Sequence, residues 1–177
     1  MADLAAQDPP EVPEARPLTK VWLPVQLLDE LAVAADEWKP LEAGGVLAGY
    51  RSTKHVEAIV THVIDAGPRA EHRKDGMAPD THYQESELDR IFAETDHVSY
   101  YLGDWHSHPG MGAVPSPIDR RTLRRIALHH DALAPRPLML ILDNAEDEWG
   151  VIGWQARFGW LRRFGFIHVD AIELIVG

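Results

Sequence analysis

The stretch Gly103–Asp119, GDWHSHPGMGAVPSPID, sets two histidines one residue apart, His106 and His108, and places a carboxylate, Asp119, after ten intervening residues. The run before it, Val98–Trp105, is β-rich and delivers His106 at its C-terminal end. On a strand, residues i and i+2 point to the same face, so both imidazoles can serve one ion. Two imidazoles and a carboxylate leave a fourth position open on a tetrahedral ion, which is the composition of a catalytic zinc site. Asp119 also has a purely structural reading. Ser116-Pro117-Ile118-Asp119 is how a helix begins, with Ser at the N-cap, Pro at the first position and an acid in the third. The two readings are compatible: Ser116 can cap while the helix start presents Asp119 to the histidines. The turn-forming Gly110, Gly112 and Pro115 bring the chain back to make that possible.

Working outward, strands and helices alternate. Lys20–Leu23 reads as a short strand. Pro24 suits the first position of a helix over Val25–Glu37, with Leu28, Leu31, Ala32 and Ala35 on one stripe. Gly44-Gly45 followed by Val46–Tyr50 reads as a strand, and Val56–Ile64 as a second one antiparallel to it across a turn at Ser52–Lys54. Gly67–Thr81 is polar, contains Gly and Pro, and reads as a long loop of the kind that often carries function. His82–Thr95 has helical spacing, with Leu88, Ile91 and Phe92 on one side. A third helix from Ser116 to about His130 places Ile118, Leu123, Ile126 and Ala127 on its apolar face. Leu138–Leu142 and Trp149–Gln155 read as strands joined by an Asn/Asp/Glu turn, and Phe164–Val176 as a last strand. The class is α/β (α+β), a mixed β-sheet flanked by helices. Met1–Pro17, with four prolines, four acids and only Leu4 and Val12 as large aliphatics, reads as a disordered tail. A single domain over residues 18–177 follows, since neither a repeat nor a linker interrupts the pattern.

Composition narrows the chemistry. The 177 residues are 45% hydrophobic and 25% charged, as in soluble globular proteins. No apolar run is long enough for a bilayer and the start lacks a signal-peptide layout, so the expected location is cytoplasmic. With no cysteine, thiolate ligands, disulfides and Cys-based catalysis are excluded. A net charge of −11 argues against a nucleic-acid partner. The basic residues cluster once, at Arg120, Arg121, Arg124 and Arg125. That cluster reads as a solvated helix face, with a contact for an acidic partner as the functional alternative.

A zinc hydrolase also needs a base to move the proton of the attacking water. Glu42 stands out among the acids because it immediately precedes Gly44-Gly45 and an apolar strand. Taken together, Glu42 with Gly44–Gly49, then His106-Ser107-His108-Pro109, then Ser116-Pro117-Ile118-Asp119, resemble the JAMM (MPN-type) zinc metalloprotease motif. That motif is a glutamate ahead of a Gly-Gly strand, H-x-H-P, six residues, and S-x-x-D. The resemblance runs over residues 20–160 and its specificity lies in about ten positions. Tyr101–Trp105 and the helix bearing Tyr83, Gln84 and Leu88 are similar to prokaryotic, deubiquitinase-like JAMM proteins found beside ubiquitin-activating-like enzymes, some in anti-phage operons.

The resemblance implies the MPN/JAMM fold, a mixed curved sheet flanked by helices and similar in architecture to cytidine deaminases. It implies one catalytic Zn2+ held by His106, His108 and Asp119, with Glu42 as general base and then acid, and Ser116 helping to hold the oxyanion. Asp104 and Trp105 are expected to support the ligands or the packing, with a surface salt bridge as the alternative for Asp104. The other histidines (His55, His62, His72, His82, His97, His129, His130 and His168) lack ligand-like spacing and read as ordinary. The implied activity is isopeptide or peptide cleavage after the C-terminus of a ubiquitin-like protein or its conjugates, with E1/E2-like enzymes encoded nearby as further partners. The substrate tail is expected beside Gly67–Asp80 and Met111–Val114. Two alternatives remain: trimming of a C-terminal extension from a sulfur-carrier protein, and a non-catalytic MPN scaffold. Zinc deaminases need a Cys-x-x-Cys motif and are excluded.

Overall fold

A computed structural model describes residues 16–52, 56–129, 134–144, 148–158 and 167–177. The expected tail up to residue 15, most of the 52–54 turn, most of the 144–148 turn, the start of the last expected strand, His55 and His130 lie outside the described residues.

The strands are β1 (Lys20–Leu23), β2 (Gly44–Ser52), β3 (Glu57–Ile64), β4 (Glu71–Arg73), β5 (Gly76–Ala78), β6 (Tyr100–Ser107), β7 (Leu138–Asp143), β8 (Gly150–Phe158) and β9 (Ile167–Val176); the helices are α1 (Val25–Trp38), α2 (Thr81–Glu94) and α3 (Pro117–Leu128). Seven strands form one mixed sheet in the order β1-β3-β2-β6-β7-β8-β9, and β1 pairs with β9 to close it into a barrel. The sheet was expected to be curved; its closure removes both edges, which no strand pattern announces.

β7 shows how the sequence feeds this architecture. Its run Leu-Met-Leu-Ile-Leu is buried on both faces, as a central strand must be. Leu138, Leu140 and Leu142 join a core built from Val21, Leu23, Leu47, Val60, Leu102 and Trp105, with Leu31 contributed by α1. Met139 and Ile141 point to the opposite face and pack with Leu123 of α3. A third cluster, Val46, Ala48 and Ile64, is covered by Ile91 of α2. Two glycines let the strands approach. A Cβ on Gly45 would meet the Ile64 carbonyl oxygen at 1.9 Å, and one on Gly103 would meet that of Leu138 at 2.0 Å. Truncating a buried leucine such as Leu140 to Ala would cost about 2–5 kcal/mol.

The arrangement that matters for function is the register of β2 against β6. They are antiparallel, with Gly44 opposite His106 and Gly45 opposite Trp105. The residues just before β2 therefore lie beside the residues just after β6.

Five details differ from the expectations. Pro24 is the N-cap of α1, where its carbonyl accepts from the N–H groups of Leu27 and Leu28. Gly67–Thr81 is not a plain loop: it contains the β4–β5 hairpin, whose three-residue strands are too short to print a period. Phe92 is not a core residue; it is 41% exposed and its ring packs on His97 instead. Ile118 is exposed as well, and α3 ends at Leu128.

Candidate functional site

The His106–Asp119 segment organises itself by local contacts. Ser116 Oγ accepts from the Asp119 N–H at 3.2 Å, and the Asp119 carboxylate accepts from the Ser116 N–H at 2.6 Å. This is a complete capping box with Pro117 at the first helical position. It presents the Asp119 oxygens at 3.4 Å from His106 Nε2 and 3.5 Å from His108 Nε2. His108 follows the end of β6, held by a 2.7 Å bond from its N–H to the Leu142 carbonyl. Its ring donates from Nδ1 to the Gly112 carbonyl at 3.1 Å, which turns Nε2 towards His106 and Asp119.

The two Nε2 atoms lie 2.9 Å apart, and one donor atom from each of His106, His108 and Asp119 lies within 4.8 Å of the others. A tetrahedral edge for zinc, with bonds of about 2.0–2.1 Å, is about 3.3 Å. Three buried donors facing one another at these separations fit a single cation. A carboxylate beside two imidazoles, one of which gives its other ring N–H to a carbonyl, is the donor set such a centre uses.

Glu42 reaches the same place from the other strand. It is 7% exposed, and its Oε1 lies 3.9 Å from His108 Nε2. Its position is set by backbone contacts far away in sequence. The Glu42 N–H donates to the Arg73 carbonyl at 2.8 Å. The next residue, Ala43, donates its N–H to Ser107 Oγ at 2.9 Å and accepts from the Ser107 N–H at 2.9 Å. Burial raises the Glu42 carboxyl above its ordinary range, against the lowering pull of His106 and His108. Asp119 goes the other way. Burial would raise it too, but bonds to His106, His108 and Ser116 hold it well below the usual carboxylate range. For His108, burial lowers the imidazole, while the bonds to Asp119 and Gly112 outweigh that and raise it. One carboxylate is thus held charged, as a metal ligand would be, and its neighbour is raised, as a proton carrier would be.

A cavity of about 190 Å³ opens on these groups, lined among others by Glu42, His106, Asp119, Met77, Ile118 and Arg125. The hairpin of the 67–80 segment therefore borders the site, through Gly76, Met77 and Pro79. A bidentate pair of Arg69 with Asp80, at 2.8 and 2.9 Å, ties that segment's two ends together. Met111 and Val114, in the turn that supplies the Gly112 carbonyl, are 61% and 58% exposed.

Asp104 is not in a surface ion pair; its hydrogen bond is to Tyr101, and His106 acts on it only through its charge. It lines the cavity and accepts from the Tyr101 hydroxyl at 2.7 Å, and burial pushes its carboxyl up to about 6. Trp105 is buried and donates from its indole to the Ile64 carbonyl at 3.1 Å. Of the arginine cluster, Arg120, Arg121 and Arg124 lie on the exposed face of α3, whereas Arg125 reaches the cavity wall.

Two residues escaped sequence reasoning. Ser107, fully buried, clamps Ala43; its signal was a polar residue on the strand face opposite the histidines, where only a partnered hydroxyl is tolerated. His72 reads as ordinary but donates from Nδ1 to the Glu42 carbonyl at 2.8 Å. No local pattern marks it.

Comparison with known proteins agrees with this geometry. Residues 24–155 match the family model described as prokaryotic homologs of the JAB domain. A probable metalloprotease, y4qB, of Sinorhizobium fredii is 36% identical over 135 residues, covering 76% of this chain and 82% of that protein. A CD-NTase/cGAS isopeptidase of Escherichia coli is 25% identical over 108 residues, 61% of this chain and 65% of that one. Among solved structures, the solution structure of protein DSY2949 from Desulfitobacterium hafniense superposes with a TM-score of 0.65 at 21% identity, over 89% of this chain and 92% of that one. That likeness bears on the fold alone.

Proposed function

This chain belongs to the prokaryotic JAB-domain family and is a JAMM-type hydrolase; from that premise we propose that it is a zinc-dependent isopeptidase or peptidase cutting after the C-terminus of a ubiquitin-like protein. The observation that carries the reading is the approach of the buried Glu42 to within 3.9 Å of His108 Nε2, beside the His106–His108–Asp119 trio. A ligand trio alone would suit a scaffold. A buried acid next to it, raised above its ordinary range by burial, suits a group that takes a proton and passes it on.

In this reading His106 and His108, through Nε2, and Asp119, through its carboxylate, hold one zinc ion. When bound, the ion supplies Lewis acidity that polarises the scissile carbonyl and acidifies water at neutral pH. Glu42 accepts the proton of the attacking water at its carboxylate and returns it to the leaving amine. Ser116 uses an oxygen lone pair for its cap, so its hydroxyl hydrogen remains to be donated where negative charge develops on the substrate oxygen. The substrate's extended tail lies along β5, whose only strand partner among the described residues is β4, with Met111 and Val114 on the other flank. The isopeptidase names of the relatives support a conjugate as the substrate class, with E1/E2-like enzymes as functional neighbours. Residues 18–177 form the catalytic unit in this proposal. No helix among the described residues is long and apolar enough to cross a membrane.

The test incubates the protein, with and without chelation, with ubiquitin-like proteins carrying linear and Lys-linked C-terminal extensions. Chelator-sensitive release that Glu42→Gln abolishes is the expected result. Release from linear extensions alone would move the function to maturation of a carrier protein. Cleavage that survives Glu42→Gln would overturn the mechanism.

A further inference from the structure

The β4–β5 hairpin meets the segment that carries Glu42 through its central rung, His72 opposite Met77, and through the neighbouring Arg73. Met77 lies against Gly44, so close that a Cβ on Gly44 would come within 2.8 Å of its Cε, and it lines the same cavity as Glu42, His106 and Asp119. His72 donates from Nδ1 to the Glu42 carbonyl at 2.8 Å. Its ring lies flat on Trp38 of α1, with centroids 3.5 Å apart and planes within 8°. The neighbouring Arg73 carbonyl accepts from the Glu42 N–H. Both peptide groups of Glu42 are therefore held by the hairpin, and the second is also pinned by Ser107 Oγ at the Ala43 N–H.

Two fixed peptide planes set φ and ψ of the residue between them, and with them the direction of its Cα–Cβ bond. For a proton carrier that direction matters, because misplacement by about 1 Å can cost about 10²-fold in rate. Two of the bonds around Glu42, those between Ser107 and Ala43, come from β6 of the barrel, and a third is a backbone bond to Arg73 of the hairpin. The bond to its carbonyl comes from a side chain, on a hairpin outside the barrel, braced by an aromatic ring from a third element. The stack fixes the plane of the ring in which the Nδ1–H meets the Glu42 carbonyl.

We propose that His72 is the positioning residue for Glu42: through the Glu42 carbonyl it aims the carboxylate at the His106–His108–Asp119 cluster, with Trp38 holding the ring in place. The inference rests on Glu42 being the proton carrier of the proposed reaction. Since Met77 of the same rung lines the cavity, a tail docked on the hairpin would bear on the rung that aims the base.

Two variants separate the parts of the device. His72→Phe keeps a flat ring for Trp38 and removes the donor; His72→Asn removes the ring and keeps an N–H close to the place of Nδ1. Turnover is followed on ubiquitin carrying a C-terminal aminocoumarin amide, with zinc content measured on the same samples. Amide exchange at Glu42 and Ala43 is followed on both the metal-free and zinc-loaded protein. The expected result for His72→Phe is a kcat lower by on the order of tenfold to a hundredfold, with KM and zinc content unchanged and faster exchange at both amides. His72→Asn should return both readouts most of the way to the parent. Parent-like kcat and exchange in His72→Phe would overturn the proposal. So would an equal loss in the two variants, or a loss that comes with lost zinc, since each assigns the effect to packing. If the parent itself leaves the probe uncut, the proposed function is what fails on that probe, and exchange in the two variants still decides whether His72 holds Glu42.

Discussion

The two halves of the site are built by opposite means. The half from His106 to Asp119 draws most of its side-chain contacts from one short segment: the capping box of Ser116 and Asp119, and the ring of His108 on the Gly112 carbonyl. The Glu42 half has no such local support. Its partners are Arg73, His72 and, for the adjoining Ala43, Ser107, which is 64 residues away. The first half rests largely on turn and cap chemistry, with one bond from His108 to the Leu142 carbonyl of β7. The second exists only when β2, β6 and the hairpin are in place. The local half holds charge, with Asp119 kept ionised by its bonds, and the assembled half is tuned to carry a proton, with Glu42 raised by burial. Binding can be encoded locally. Aiming cannot.

The most direct way to break this comparison is to cut each half separately. Glu42→Gln should retain zinc and lose about 10²–10⁴-fold in turnover, the usual weight of a general acid–base group. His108→Ala should lose the zinc itself. Metal stoichiometry and turnover measured on the same preparations check both. If Glu42→Gln also released the metal, the halves would not be separable as described.

Ser116 sharpens the comparison because it belongs to the local half and is assigned a part in the chemistry. Ser116→Ala should reduce kcat by about 10²–10³-fold through loss of an oxyanion donor. The lost cap should cost about 1 kcal/mol of stability. A variant with the stability loss and normal kcat would return Ser116 to a structural role only. Ser107→Ala probes the assembled half in the same way. It leaves the buried Ala43 N–H without its partner, at a cost of about 1–3 kcal/mol in denaturant unfolding, with zinc content unchanged.

The smallest effect is a pH dependence confined to the hairpin segment. The Arg69 guanidinium holds the Asp80 carboxyl below its ordinary value. An acid depressed in this way contributes its stabilisation above its unfolded pKa, about 3.9, and loses it as pH falls through the lower folded value. Amide exchange over residues 66–81 should therefore accelerate below about pH 4. Arg69→Ala should show the faster pattern already at neutral pH. Identical profiles in the two proteins would remove the ion pair as the closure of that segment.

The residues that converge in the site were legible because each sits in a short pattern with a chemical reason: H-x-H on a strand end, S-P-x-D at a helix start, a glutamate before paired glycines. Their neighbours were not. Ser107 looked like a spacer because its partner lies on another strand. His72 lacked ligand spacing and so read as ordinary, although its partner is the backbone of the very residue singled out as the base. The hairpin itself was hidden because its strands are three residues long and its pairing is mostly backbone, which composition does not report. Phe92 erred in the other direction, an apolar residue at helical spacing that packs on His97 at the surface.

From the sequence alone came the order of strands and helices, the absence of thiol chemistry and a set of residues able to hold a metal and move a proton. Those follow from properties that neighbouring residues carry with them: side-chain period, cap and turn chemistry, and donor type. Only the tertiary structure decided that β1 and β9 close the sheet, that the start of β2 runs beside the end of β6, and that the hairpin grips both peptide groups of Glu42. Those depend on backbone hydrogen bonds between distant segments, and every residue's backbone offers the same N–H and C=O, so the side chains cannot say in advance which will meet.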